Sequence, residues 1–200
     1  MGAPWQPLLD WWFGPQAPAA EVAAARSGLW FGKHDRQDLE ARERFAALVE
    51  QALAGGLGDW AEQPHGWLAL ILLLDQLPRM IHRGSPLAFA GDARARQLVL
   101  EGLDGEKEAA LAPIQRVFVY MVLEHAEDLL LQDEAVRRFT RLLSVAPAAE
   151  QPLFADYLDY AERHQRVIAR FARFPHRNAV LGRASTEEEL RFLEEPGSRF

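Results

Sequence analysis

His65-Gly66-Trp67-Leu68-Ala69-Leu70-Ile71-Leu72-Leu73-Leu74-Asp75-Gln76-Leu77-Pro78-Arg79-Met80-Ile81-His82 is the stretch on which the fold turns. It is too long for a single strand and carries apolar bulk on every side of a 3.6-residue period. It therefore reads as a helix at the centre of a helical protein. Its apolar run from Trp67 to Leu74 is eight residues long and stops at Asp75. A membrane span needs about 20, so a soluble, cytoplasmic protein with no membrane partner is expected. One face of this helix carries Asp75, Arg79 and His82/Arg83 below Leu68 and Ile71/Leu72. A polar group in a core stripe must find a partner or a ligand. Asp75 and Arg79, four residues apart, can pair within the helix.

Outward from this helix the period stays helical and no alternating strand is found. Helices are read over Pro4–Phe13, ended by Gly14-Pro15, and over the Ala-rich 18–26. Asp38–Ala54 stops at Gly55-Gly56, and a further helix runs to about Glu101 after Ser85-Pro86. Leu111–Ala146 reads as one or two helices, with a break near Gln132-Asp133. Gln151–Arg173 is ended by Pro175, and a last helix to about Glu194 is opened by the capping box Ser185-x-x-Glu188. Eight or nine helices with short loops predict an all-α protein of antiparallel neighbours. Residues 1–200 are expected to form one domain. The six Trp (5, 11, 12, 30, 60 and 67) lie in the first third and read as packing residues, although such an N-terminus could also serve as a homodimer face.

The chain has 49% apolar residues, enough for a core, and no Cys, which removes disulfides and thiolate chemistry. The first residues, Met1-Gly2-Ala3-Pro4-Trp5-Gln6, contain no secretory or myristoylation signal. A net charge of −7 argues against general nucleic-acid binding. Yet residues 161–183 hold six Arg against the single acid Glu162, a local balance of +5 in a chain whose remainder is −12. Within this island Arg163, Arg166, Arg170 and Arg173 repeat at helical spacing, a solvated stripe at its start. Arg173, His176, Arg177 and Asn178 flank the Pro-broken helix end. Arg forks suit carboxylates and phosphates, so Arg79, Arg83, Arg173 and Arg177 are candidate anion ligands, with His176 and Asn178 beside them. The competing reading is closure of the helix end, whose carbonyls need donors.

Two more core stripes are interrupted. His125 lies among Phe118, Met121/Val122 and Leu129, and His164 among Tyr157, Val167/Ile168 and Phe171. A shared polar pocket lined by Asp75, Arg79, His125 and His164 is the expectation. In Glu124-His125-Ala126-Glu127-Asp128 the acids read as a solvated face, and the spacing fits neither a zinc helix nor a di-iron bundle. No metal and no cofactor are expected. There is no nucleophile elbow and no phosphate-cradling glycine loop.

Together, Asp10-Trp11-Trp12-Phe13-Gly14, Trp30-Phe31, Leu68 through Arg79, Phe89-Ala90-Gly91-Asp92, Leu123-Glu124-His125-Ala126-Glu127, Gln132, His164, Arg170 through Asn178 and Leu181-Gly182-Arg183 resemble the domain-of-unknown-function family 924 nearly end to end. The resemblance implies an all-helical, tetratricopeptide-like right-handed stack of antiparallel helix pairs, and no activity. Departures are Ala172, Met80 and Val122, where the family pattern has Gly, Asn and Pro. Val122 removes a helix kink before Glu124.

Three functions are compatible with these residues. A binding module would grip an anionic small molecule or an acidic peptide through Arg79, Arg83, Arg173 and Arg177. A hydrolase or lyase would use His125 or His164 as general base, oriented by Glu124 or Asp75. A scaffold would use its polar core only to fix helix register. A His within reach of both a carboxylate and an open cavity favours the enzyme. Packed, satisfied His residues beside an open Arg-lined groove favour the module.

Overall fold

Every residue of the central helix from Gly66 to Pro78 is buried. In the computed structural model, which describes residues 2–199, this helix is α4 (Pro64–Ile81). Met1, which opens the stretch read for targeting signals, and Phe200 lie outside the described residues. Among the described residues there are nine α-helices and no strand. The others are α1 (Gln6–Phe13), α2 (Ala19–Phe31), α3 (Asp35–Leu53), α5 (Asp92–Asp104), α6 (Pro113–Glu124), α7 (Leu129–Val145), α8 (Gln151–Phe171) and α9 (Glu187–Leu193). Short 3₁₀ turns connect several of them, including Pro86–Phe89 and Pro175–Arg177. No helix among the described residues is long and apolar enough to cross a membrane.

Each helix from α3 to α8 packs against the next, and α6 also touches α2, α4 and α8. Short loops impose that neighbour order. One apolar cluster runs from Leu8 to Ala161, and a smaller one joins Val167, Ile168 and Phe174. The Trp residues serve the core: Trp12 and Trp67 are wholly buried, and Trp12 stacks on Trp30 with Phe118 edge-on to both. Trp5 packs edge-on against Trp60.

Pro78 inside α4 has no N–H, so the carbonyl four residues back, Leu74 O, loses its helical partner. Gly91, at the start of α5, sits against that carbonyl so closely that a Cβ would overlap it. The Pro and the Gly together let α5 approach α4 and fix where Asp92 begins.

Several boundaries differ from the sequence expectation: α2 runs to Phe31 instead of ending at 26, and α3 opens at Asp35 instead of Asp38. The break between α6 and α7 falls at 125–128, not at Gln132-Asp133. Asp128 sets it by accepting from Leu130 N and Leu131 N, 2.9 and 3.3 Å away, as an N-cap does. Gln132 lies inside α7, and its Nε2 donates to Glu124 O (2.6 Å) and Ala126 O (2.8 Å), closing the end of α6. The last capping box is Thr186 with Glu189, one residue later than Ser185 with Glu188. Ser185 instead accepts from Asn178 Nδ2 at 3.0 Å. Ser85 caps only the turn Pro86–Phe89, and α5 starts at Asp92.

Helix α8 ends on Ala172 in the left-handed region (φ 57°), its N–H bonded to Ile168 O at 2.8 Å. A left-handed L-residue costs roughly 1–2 kcal/mol. Glycine removes that cost and gives back roughly 0.5–1 kcal/mol in unfolded-state entropy. Ala172→Gly is therefore expected to raise stability by about 0.5–1 kcal/mol in urea denaturation. An unchanged or lower midpoint would contradict the cap assignment.

Candidate functional site

Asp75, one turn before Pro78, is 1% exposed and gathers three donors. His125 Nδ1 lies 2.7 Å from Oδ1, Arg79 Nη1 3.1 Å from the same oxygen, and Gln76 Nε2 donates to Oδ2 at 2.6 Å. Burial alone would raise its pKa. The Arg79 and His125 charges and the His125 and Gln76 hydrogen bonds outweigh burial and hold the carboxyl well below the usual range. Arg79 turns its fork on Asp92 of α5, with Nη1–Oδ1 2.8 Å and Nη2–Oδ2 3.0 Å. It also donates to Asp75 O.

His125 is the C-cap of α6. Its position on the break between helices, held from behind by Gln132, lets the ring reach across to α4. Burial, then Arg79, push its pKa down, while Asp75 opposes them and loses. The ring is therefore neutral at pH 7. A carboxylate only accepts, so Nδ1 carries the proton and Nε2 is left as the base. Its side chain retains 13% exposure and lines a cavity of ≈320 Å³. Asp75, Phe89, Asp92, Arg96, Glu127 and Arg177 share that cavity wall.

His164 does not join that wall; it is 5% exposed behind His125, the rings 6.4 Å apart. Its Nδ1 lies 2.8 Å from Tyr160 O and 2.9 Å from Glu124 Oε1. Glu124, expected on a solvated face, is buried with 4% exposure and faces His164. It ends α6 instead of continuing a surface stripe with Asp128. The two His thus have one carboxylate each, Asp75–His125 at the cavity and Glu124–His164 inside.

The Arg-rich segment divides in two. Arg173 forks onto Glu189 of α9 (2.6 and 2.8 Å) and donates to Ala184 O. Arg183 forks onto Glu127 (2.7 and 2.9 Å), which also accepts from Phe174 N. Asn178, wholly buried, donates to Ser185 and Glu189 and accepts from Arg183. Arg170 pairs with Glu188 at 2.9 Å, and Arg163 and Arg166 lie within 4 Å of Asp159 and Glu162. These groups fasten the C-terminal segment. Arg173 and Asn178, read as anion ligands, are thus engaged in closing the chain. Arg83 is also remote from the cavity: it forks onto Asp38 at 2.7 and 2.8 Å. Helix α4 ends at Ile81, so the face shared with Arg79 no longer continues through Arg83.

Arg177 is different. It is 7% exposed, and its Nε is buried without a hydrogen bond. Its guanidinium carbon lies 4.8 Å from the centre of the Phe89 ring and 4.5 Å from that of Phe174. Asp92 Oδ2 is 3.7 Å from Nη1, too far for a hydrogen bond. Burial, then Arg79, pull its pKa down to about 10. His176 lies next to it, its pKa pushed down to about 3 by burial and then by Arg177. Among the described residues no group of three His, Asp or Glu is arranged to hold a metal ion.

A folded-state His pKa below the unfolded value of about 6.5 means that the unfolded chain binds the proton first. His176 therefore contributes stability that is present above pH ~6.5 and is lost as pH falls toward about 3. His125 acts in the same direction. Glu189, held down to about 2 first by the Arg173 hydrogen bond, contributes stability that is lost only as pH falls from about 4.5 toward 2. The melting temperature should thus begin to fall near pH 6.5, ahead of carboxylate titration, and His176→Phe should flatten that first limb. A melting temperature constant from pH 7 to 5 would contradict the assignment.

Phe89, Asp92, Arg96 and Glu127 were not read as site residues. A model of the family described as bacterial protein of unknown function (DUF924) matches residues 8–197. The chain is similar in structure to a protein of unknown function, ATU0120, from Agrobacterium tumefaciens: 35% identity over 88% of this chain and 96% of that one, with a TM-score of 0.73. Curated proteins return no match. With the family model spanning nearly the whole chain, the protein belongs to the DUF924 family.

Proposed function

We propose that the cavity between α4, α5, the α6–α7 turn and Pro175–Arg177 is the active site of a hydrolase or lyase acting on a small anionic molecule. Arg177 binds the anion, and His125, oriented by Asp75, is the general base. The observation that carries this reading is the 2.7 Å contact of Asp75 Oδ1 with His125 Nδ1 on a cavity wall that also holds Arg177. In hydrolysis, Nε2 takes a proton from water as the water oxygen attacks, and the imidazolium returns it to the leaving group. In elimination, Nε2 takes the proton from the carbon adjacent to the one that bears the leaving group; the C–H electron pair becomes the double bond as the bond to the leaving group breaks, and the imidazolium protonates the departing group. Asp75 stays ionised and stabilises the imidazolium in either case. A volume of ≈320 Å³ fits a small molecule better than a peptide end.

The test is a turnover screen of small anionic esters, phosphoesters and hydroxy acids, with Arg177→Lys alongside. Hydrogen bonds to charged groups are worth roughly 1.5–3 kcal/mol. Lys places its charge without the fork, so KM should rise roughly tenfold to a hundredfold for an active substrate. Turnover insensitive to Arg177, or none across the panel, would contradict the enzymatic reading. Anion binding without turnover, unaffected by His125→Asn, would leave a binding module in its place.

A further inference from the structure

The charges around this cavity are unequally matched. Asp75 and Asp92 share Arg79, and Glu127 is forked by Arg183. Two guanidiniums on the same wall make no hydrogen bond among the described residues. Arg177 is the buried one, with its Nε unpaired and the rings of Phe89 and Phe174 against it. Arg96 is the other, one turn beyond Asp92 on α5. Among the described residues Arg96 makes no hydrogen bond or ion pair: Asp92, its natural partner four residues back, is occupied by Arg79.

Burying a guanidinium without hydrogen bonds is costly, and a carboxylate within hydrogen-bond reach would relieve it. Asp92 Oδ2 stops 3.7 Å away, committed to Arg79, and the rings of Phe89 and Phe174 attract the cation but leave its N–H edge open. A second cation from another helix shares the cavity. One Arg fork is enough for a carboxylate, whereas a tetrahedral group with three terminal oxygens can accept from two.

We infer that Arg96 and Arg177 form a two-point clamp that selects a small molecule carrying a phosphate monoester dianion. This inference rests on the anion site proposed above and names its substrate class. Arg177 supplies the buried anchor, and Arg96, half-exposed on the rim, closes over the second charge. Arg96 contacts the substrate's non-reacting group and makes no contribution to proton transfer.

The experiment is calorimetric titration at pH 8 with inorganic phosphate, phenyl phosphate, succinate and acetate, on wild type, Arg96→Gln and Arg177→Lys. Arg96 has no hydrogen-bond or ion-pair partner among the described residues, so its replacement should leave the melting temperature unchanged. Phenyl phosphate should bind wild type at least tenfold more tightly than acetate. Arg96→Gln should lose that preference while keeping its acetate affinity. Succinate binding as tightly as phenyl phosphate, with the same dependence on Arg96, would overturn the phosphate assignment in favour of a dicarboxylate. Equal affinity of wild type and Arg96→Gln for phenyl phosphate would overturn the clamp and leave Arg177 as a single-point site. Failure of every anion to bind would remove the anion site itself, and both readings with it.

Discussion

His125→Asn is expected to lower turnover of an active substrate by roughly 10²–10⁴-fold, the usual worth of a positioned general base. KM should change little. Asparagine keeps a donor that can reach Asp75 Oδ1, so the cluster beneath stays satisfied and the Arg177 side of the cavity is untouched. What disappears is the one imidazole among the described wall residues, with its free lone pair. The carboxylates of Asp75, Asp92 and Glu127 are each committed to a guanidinium. Steady-state kinetics at pH 7 checks the prediction, and the rising acid limb of the kcat profile should vanish with the imidazole. A variant that retains a third of wild-type kcat would show that His125 is not the base.

Asp75→Ala carries the largest expected loss of stability. It removes one carboxylate and strands His125 Nδ1–H and Gln76 Nε2 at a position 1% exposed, while Arg79 keeps Asp92 and the backbone carbonyl of residue 75. Breaking a buried charged cluster from one side costs about 3–5 kcal/mol. In a domain of this size that is a fall in melting temperature on the order of 10 °C. Asp75→Asn should lose less, because the amide oxygen can still accept from His125. It should nevertheless impair turnover, because a neutral partner does not stabilise the imidazolium. Urea denaturation of both variants separates the effects. A cost below about 1 kcal/mol for Asp75→Ala would mean that the cluster is solvated in solution.

The all-α class was legible from the helical period, and the central place of α4 from its apolar bulk on all sides. The meeting of Asp75, Arg79 and His125 was legible for a related reason: a polar residue in an apolar stripe announces itself. The other wall residues do not. Arg96 and Asp92 lie on an amphipathic helix, where charges are ordinary, and only the approach of α5 to α4 at Gly91 turns them inward. Glu127 sits in a turn that was read as helix, because Gln132-Asp133 resembles a break more than His125–Asp128 does. Asp128 decides the matter through its backbone cap, which neighbouring residue types only weakly foretell. Arg173, Asn178 and Arg177 looked alike in sequence. The fold separates them by supplying Glu189 to the first two and aromatic faces to the third.

The most direct test is the nitrogen NMR signature of the His125 imidazole at pH 7, with and without phenyl phosphate. The account predicts a neutral ring protonated at Nδ1, with Nε2 unprotonated and shifting on titration of the anion. An imidazolium at pH 7, an Nε2-protonated ring, or a signal indifferent to the anion would contradict a base poised beside an anion site.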